Sequence, residues 1–467
     1  MSNPPEFNNH DWPIDSIFYQ IFPDRFNNGN PLNDPPEIEP WGNPPTRDNF
    51  FGGDLEGIIN KIDYLQNVGV NALYLTPIFK AKSNHKYDTI DYFEIDPSFG
   101  DKGILKKFVQ ELHNRGMHII LDGVFNHCGE MFWAFENIKE LGQESPYIDW
   151  FIARSFPINT MPLNYYTCGG CSYLPKFNQD NPEVKKYLIE IAVHWLKEAS
   201  IDGWRLDTPV KVPKQFWQDF RKAVKDINPQ AYLLGEIWRE ARSWVLGDTF
   251  DGGTNYLLRE LIISFFSENT LDAEDFSFEL NALLSRLGNG SYYMMNLLGC
   301  HDTPRIRTVF KGEDARLEMA IIFQFVFIGI PLIYYGDEIG MTGKNDPDCR
   351  RPMEWDQSKW NKNIFDIYKL MTALRNNHVC LRRGSFETLL MFDKLIAFKR
   401  KYNDEEIISI FNPGPLVSDV KIPSLSTSNK WFDLFIKERT YSTKNGILFI
   451  DKVKPNTTIL ISNKEEG

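Results

Sequence analysis

Three acidic residues of the 467-residue chain, Asp207, Glu236 and Asp302, each follow a short apolar run, where a carboxyl group can be held firmly and partly stripped of water. Asp207 lies in "IDGWRLDTPVKV", residues 201–212, two positions after Arg205. Side chains at i and i+2 of a strand point to the same side, and a neighbouring guanidinium favours the charged form of a carboxyl. Asp207 is therefore expected to be an ionised group of the kind a nucleophile requires, among buried neighbours Ile201, Trp204, Leu206 and Val210. Glu236, in "GEIW", has Leu234 and Trp238 at i±2 and no basic residue there. An apolar setting raises such a carboxyl from about 4.3 toward ~6, so that it can still carry a proton near neutral pH and act as a general acid. Two carboxyl groups with environments that push them apart meet the requirement for glycoside hydrolysis with retention. Asp302 could then hold sugar hydroxyls and stabilise a cationic transition state. Asp122, Asn126 and His127 end one further apolar run, and His301 precedes Asp302. Singly, each of these residues has a plain structural explanation as a cap, a salt bridge or a core histidine. Their convergence on one face points to chemistry.

That convergence requires a particular architecture. "SIFYQIF" from Ser16, "ALYLTP" from Ala72, "HIILDGVF" from His118, "DGWRLD" from Asp202, "YLLGEIW" from Tyr232, "YYMMNLLG" from Tyr292 and "PLIYYG" from Pro331 read as strands buried on both faces. A less distinct run, "DTFDGGTNYL", falls where a sixth strand is expected. Amphipathic helical patterns separate them, from Asp54, Asp101, Asn181 and Val212, with Asp, Asn and Pro at their starts and Gly ending the first two. Strand and helix alternating near eight times favours the α/β class and a closed (β/α)₈ TIM barrel, whose working face lies at the carboxyl ends of the strands. The spacing assigns 1–126 and 181–378 to the barrel. Residues 127–180 are too long for an ordinary βα loop and predict an inserted domain after strand 3. From 379 to 467, runs such as "KLIAFKRKY", "EIISIFN", "GILFID" and "TTILIS" predict a C-terminal antiparallel β-sandwich.

A formal net charge of −12 argues against nucleic acid or an anionic membrane surface as a partner. Aromatic residues make up 14% of the chain, with 12 Trp, a composition suited to stacking on sugar rings. "MSNPPEFNNHDWPID" has no basic start or apolar run, which predicts a cytoplasmic protein. "AIIFQFVFIGIPLIYY" from Ala320 is shorter than the ~20 residues of a membrane span and reads as a buried helix running into a buried strand. Cys168 and Cys171 of "CGGC" lack the further ligands of a zinc site and read as reduced loop thiols. The chain is expected to act as a monomer or homodimer.

With "DGVFNH" at 122–127, "GWRLD" at 203–207, "GEIW" at 235–238 and "GCHDTPR" at 299–305, in this order, the sequence resembles the α-amylase family of glycoside hydrolases over residues 16–356. "LPKFN" at 174–178, "FYQIFPDRF" and "LYLTPIFKAKSNHKYDTIDYFEIDPSFG" are similar to its neopullulanase, cyclomaltodextrinase and maltogenic amylase group. The resemblance implies that Asp207 is the nucleophile, Glu236 the acid/base and Asp302 the transition-state stabiliser. It implies that Arg205, His127, His301, Tyr87 and His85 line the subsite of the sugar to be cleaved, and that Asp346 and Arg350 of "NDPDCR" clamp that sugar. The implied substrates are α-glucans: cyclodextrins, maltooligosaccharides, pullulan or starch. Members of the group usually carry a further amino-terminal domain, and have an Asn-Glu pair where this chain has Thr208, Pro209, Val210 and Lys211. "NNGNPLND" with "GGD" resembles the group's structural calcium (Ca2+) site, which implies Asn28, Asn30, Asn33, Asp34, Gly52 and Asp54 as ligands, with Asn30 where a carboxylate is common. Alternatives to hydrolysis are a 4-α-glucanotransferase, a catalytically silent glycan-binding barrel and a metal-dependent barrel enzyme.

Overall fold

The computed structural model describes residues 11–424 and 426–465, so most of the amino-terminal stretch on which the cytoplasmic reading rests lies outside the described residues. Eight parallel strands run around a barrel: β1 Phe18–Ile21, β2 Ala72–Leu75, β3 His118–Gly123, β4 Gly203–Leu206, β5 Tyr232–Gly235, β6 Gly252–Gly253, β7 Met295–Leu297 and β8 Ile330–Tyr334. Their order is β6-β5-β4-β3-β2-β1-β8-β7, and a parallel bridge between Thr254 and Met295 spans the remaining seam. The weakly marked sixth strand is present, as two glycines only.

The alternation of side chains explains why these runs are apolar throughout. Phe18, Ala72, Ile120, Leu234, Met295 and Leu332 point inward and form one cluster within the barrel. Their neighbours Tyr19, Leu73, Ile119, Leu233 and Ile333 belong to the larger core beneath the surrounding helices. One residue pair further along each strand, the same inward parity carries Gln20, Tyr74, Asp122, Arg205 and Glu236. The strands thus lift polar groups onto a hydrophobic floor at their carboxyl ends.

The helix expected from Asp54 is two short helices, Leu55–Ile59 and Ile62–Val68, broken at Asn60 and Lys61. Asp54 caps the first and Gly69, at φ +94°, ends the second. Asp101 and Asn181 cap the helices Lys102–Asn114 and Pro182–Glu198 as the sequence predicts. The long apolar segment divides into helix Asp314–Val326 and β8, and the Nε2 of its buried Gln324 donates to the carbonyls of Asn296 and Leu332. Among the described residues, no helix is long and apolar enough to cross a membrane.

The 127–180 segment contains one α-helix, Trp133–Leu141, and two short 3-10 helices, Gly142–Glu144 and Ile148–Trp150, and is otherwise tied together by isolated bridges such as His127 to Lys176 and Thr167 to Pro175. Gln179 fastens its end to the barrel by donating to the carbonyls of Phe125 and Asn126.

The terminal segment forms eight antiparallel strands: β9 Ser385–Phe392, β10 Leu395–Tyr402, β11 Glu405–Asn412, β12 Val417–Pro423, β13 Lys430–Asp433, β14 Thr440–Lys444, β15 Ile447–Val453 and β16 Thr457–Ser462. In the order β9-β10-β11-β16-β13-β14-β15-β12, they fold around Ile408, Ile422, Trp431, Leu448 and Ile461. The four strands named from sequence are β10, β11, β15 and β16. Arg400 of β10 docks this layer onto the barrel by donating to the carbonyl of Val326, beside a shared cluster of Phe276, Phe323, Phe398 and Phe411.

Candidate active site

Arg205 occupies the centre of the polar layer. Register sets it directly opposite Asp122 of β3 and Leu234 of β5, so that its guanidinium lies between the two adjoining strands. Its Nη1 donates to both oxygens of Asp122, at 2.8 and 2.9 Å, and to Oδ1 of Asp207 at 2.9 Å. Its Nη2 lies 3.0 Å from Oε1 of Glu236. Tyr74 and Tyr87 add hydrogen bonds to Asp122 of 2.6 and 2.9 Å.

This arrangement corrects the electrostatics expected from sequence. Glu236 does not sit in an apolar setting without a cation, because Arg205 reaches it from the neighbouring strand. Trp238, read as an apolar neighbour, donates its indole N–H to Oε1 of Glu236 at 3.0 Å, and the backbone N–H of Thr208 donates to Oε2 at 2.9 Å. Nor does Asp207 have Arg205 to itself: three carboxyl groups share the one guanidinium. Burial, followed by the charge of Glu236, pushes the carboxyl of Asp207 well above its ordinary value, with Arg205 opposing. Asp122 is raised by burial against the same opposition. The carboxyl groups are therefore not unpaired, as the isolated strand ends implied, but are tied into one network by Arg205. Ile201, Trp204 and Leu206 are buried as expected, whereas Val210 is 52% exposed in the short turn Pro209–Lys211.

Asp302 reaches the same pocket from the loop after β7. His301 Nε2 lies 2.9 Å from its Oδ2, and Arg350 Nη2 donates to its Oδ1 at 3.1 Å. Burial works against its charge, but His301, Arg350 and Arg205 outweigh it and hold the carboxyl below its ordinary value. His301 also contacts Gln20 Nε2 through Nδ1 and Tyr87 through Nε2, both at 2.7 Å. Arg350 is fixed in turn by Asp346 at 3.0 Å and by the carbonyl of His301.

His85 and His127 are held neutral, their imidazoles pushed down to about 3, by burial first and then by Arg350 for His85 and by His85 for His127. The backbone N–H of Tyr87 donates to Nδ1 of His85, which leaves Nε2 to carry the proton. His127 Nδ1 meets Nδ2 of Asn126 at 3.1 Å, while its buried Nε2 has no protein partner. Two neutral N–H donors on one wall suit hydroxyl groups.

These residues enclose a pocket of ≈ 330 Å³, lined by His85, Tyr87, His127, Asp207, Glu236, Asp302, Asp346 and Arg350. Arg205 and His301 stand behind that lining, only 2% exposed, and act on it through Asp207, Glu236, Tyr87 and Asp302. Cys168, Leu174, Thr208 and Trp238 complete the wall on the Glu236 side. Trp238 is stacked on Tyr256 at 3.8 Å between ring centroids. Gln20, Tyr74, Thr208 and Trp238 were not singled out as site residues from sequence. Inward strand parity could have found the first two, and Trp238 shares the parity of Glu236 two residues before it; the contact of the Thr208 amide depends on Glu236 of the neighbouring strand.

Apart from this pocket, Asn28, Asn33, Asp34 and Gly52 cluster near the loop end of β1. The buried Oδ1 atoms of Asn28 and Asn33 have no hydrogen-bond donor. Gly52, at φ +78°, approaches so closely that a Cβ there would lie 2.4 Å from Oδ1 of Asp34. Asn30 instead accepts from the N–H of Leu32, and Asp54 accepts from the N–H groups of Gly29, Asn30 and Gly57 as a helix cap.

A TIM barrel with paired carboxyl groups and a third acid around one pocket defines the glycosidase class of site. Residues 20–384 match the model of the alpha-amylase catalytic domain. The chain is 47% identical over 405 residues to a cyclomaltodextrinase of Thermoanaerobacter pseudethanolicus, covering 86% of this chain and 71% of that protein. It is 42% identical over 421 residues to an intracellular maltogenic amylase of Bacillus subtilis strain 168, covering 89% and 71% of the two chains. The ligand-free cyclic alpha-maltosyl-(1→6)-maltose hydrolase of Arthrobacter globiformis superposes with a TM-score of 0.89 at 38% identity, covering 99% of each chain. The chain belongs to the α-amylase family of glycoside hydrolases.

Because breaking a buried ion network strands the remaining charges, Arg205→Leu should lower unfolding stability by about 3–5 kcal/mol. Urea denaturation of the two proteins measures this directly. An unchanged midpoint and slope would contradict the bridging role of Arg205.

Proposed function

We propose that the protein hydrolyses α-1,4-linked glucans with retention of configuration, with cyclodextrins and maltooligosaccharides as its preferred substrates and the α-1,6 bonds of pullulan as a secondary target. The observation that carries this reading is the suspension of Asp207 and Glu236 from the two ends of one guanidinium. Close carboxyl groups, about 5–5.5 Å apart, belong to the retaining class, and wider ones to the inverting class. Asp207 would attack the anomeric carbon while Glu236 delivers a proton to the departing glycosidic oxygen. A water molecule, deprotonated by the same Glu236, would then release the sugar from Asp207. For the first step, Glu236 has to carry a proton. A sugar that draws Glu236 toward the glycosidic oxygen and away from Arg205 would favour that form. Asp302, held ionised, would face the positive charge that develops on the ring.

The cleft supports an oligosaccharide as substrate. His85, Asp346 and Arg350 are shared with an adjoining pocket of ≈ 770 Å³ that also includes Phe50, Lys82 and Tyr173. Glu236, the proton donor, lies on the leaving-group side, so this second pocket would receive the non-reducing part of the chain. The kinship with a relative named as intracellular supports action inside the cell on imported or stored glucan.

A calcium ion fits the cluster of Asn28, Asn33, Asp34 and the Gly52 carbonyl, whose unpartnered buried amide oxygens are hard ligands of the type calcium prefers. Asn30 and Asp54, occupied by backbone donors, would serve that site mainly by shaping its loop. The ion's part would be structural, joining the segment after β1 to the loop at Gly52.

Glu236→Gln should reduce turnover of β-cyclodextrin by about 10²- to 10⁴-fold while leaving the fold intact. Resolving the products from β-cyclodextrin, pullulan, starch and maltotriose tests the substrate assignment. Products longer than the maltotriose supplied would favour a 4-α-glucanotransferase, and a fully active Glu236→Gln would remove Glu236 as the acid. Calcium should raise the melting temperature after chelator treatment, and the gain should be lost in Asp34→Ala. A melting temperature indifferent to chelator and calcium would exclude the site.

A further inference from the structure

Thr208 contacts both catalytic carboxyl groups. Its backbone N–H donates to Oε2 of Glu236 at 2.9 Å, and its hydroxyl donates to Oδ2 of Asp207 at 3.2 Å. The residue lies at φ +40°, ψ 45°. A β-branched side chain avoids this left-handed region unless its surroundings enforce it, and such enforced positions concentrate at functional sites. The enforcing elements are visible: the turn Pro209–Lys211 closes by the N–H of Lys211 on the carbonyl of Thr208, and Trp217 locks the carbonyl of Pro209 at 3.0 Å.

The two oxygens of Asp207 are not equivalent. Oδ1 is held by Arg205, whereas Oδ2 has only the Thr208 hydroxyl. Oδ2 is thus the oxygen available to form the glycosyl bond. The groups facing Asp207 are Arg205 and Glu236 from β4 and the end of β5, Asp122 from β3, Asp302 from the loop after β7, the Cys168 thiol from the inserted segment and the Tyr92 hydroxyl from the segment between β2 and β3. Arg205 is the one cation among them, and its charge is divided among several acids.

We propose that the Thr208 hydroxyl is a positioning group for the nucleophile, holding Oδ2 of Asp207 in line and favouring its carboxylate form. The inference rests on Asp207 being the nucleophile. When the bond from the anomeric carbon to Oδ2 breaks in the second step, the electron pair returns to Oδ2. The hydroxyl is placed to stabilise it there while Glu236 takes a proton from the attacking water.

Thr208→Val removes the hydroxyl and keeps the branched shape and the backbone N–H; Thr208→Ser keeps the hydroxyl. With maltotriose as substrate, Thr208→Val should lower kcat on the order of 10-fold, with KM little changed, as expected for a hydrogen bond to a charged group. A hydrogen bond to the charged form lowers a carboxyl's pKa, so its loss should move the acidic limb of the kcat/KM profile to higher pH, by about half a unit or more. Thr208→Ser should restore both, and Thr208→Ala, also without a hydroxyl, should reproduce the shift should the valine protein fold poorly. An unmoved acidic limb in the hydroxyl-free variants, or a serine variant as impaired as the valine one, would overturn the proposal. Reaction of the wild type with 5-fluoro-α-D-glucosyl fluoride, followed by peptide mapping, keeps the two readings apart. A label on Asp207 with unmoved profiles rejects the role of Thr208 alone, whereas a label on another residue rejects the nucleophile itself.

Discussion

A single buried guanidinium organises the site. Arg205 is in contact with Asp122, Asp207 and Glu236, and none of these four side chains is more than 8% exposed. Desolvating an ion costs several kcal/mol, and the cost is offset only where geometry and additional hydrogen bonds are good. Here the bonds from Tyr74, Tyr87, Thr208 and Trp238 supply those additions. The barrel makes such a centre possible, because its parallel strands set Asp122 and Arg205 side by side above a dry floor and carry Asp207 and Glu236 one step further along.

Much of this was legible in the sequence. Both-face burial marked the strands, and the parity of "GWRLD" put Arg205 and Asp207 on one side. Asp207, Glu236 and Asp302 and the lining residues His85, Tyr87, His127, Asp346 and Arg350 all come to one pocket. The charge distribution was not legible, for a specific reason. The i, i+2 rule describes neighbours within a strand, but register decides neighbours across strands, and it is register that sets Arg205 against both Asp122 and Leu234. The expected contrast between a charged Asp207 and an isolated Glu236 therefore gives way to two carboxyl groups held by one cation, with Asp207 raised by burial and by the charge of Glu236.

The same limit explains the other departures. The helix after Asp54 reads as one amphipathic pattern, yet it breaks at Asn60 and Lys61. Half of the terminal strands lack a clear alternation because they are partly exposed; β12, for instance, alternates only in its second half. In each case a local pattern was present and a tertiary contact chose between its possible uses. Thr208 is the most pointed example, since nothing in its immediate sequence distinguishes a residue whose amide and hydroxyl serve two different acids.

The closeness of Asp207 and Glu236 on a common cation is the central claim, and its consequence is stereochemical. Proton NMR of a maltooligosaccharide digest, recorded within the first turnovers and before mutarotation, reads the configuration of the newly formed reducing end. The α-anomer should accumulate first, decaying later toward the equilibrium mixture. Initial release of the β-anomer would mean that water attacks directly across a wider gap, and would contradict a covalent step at Asp207.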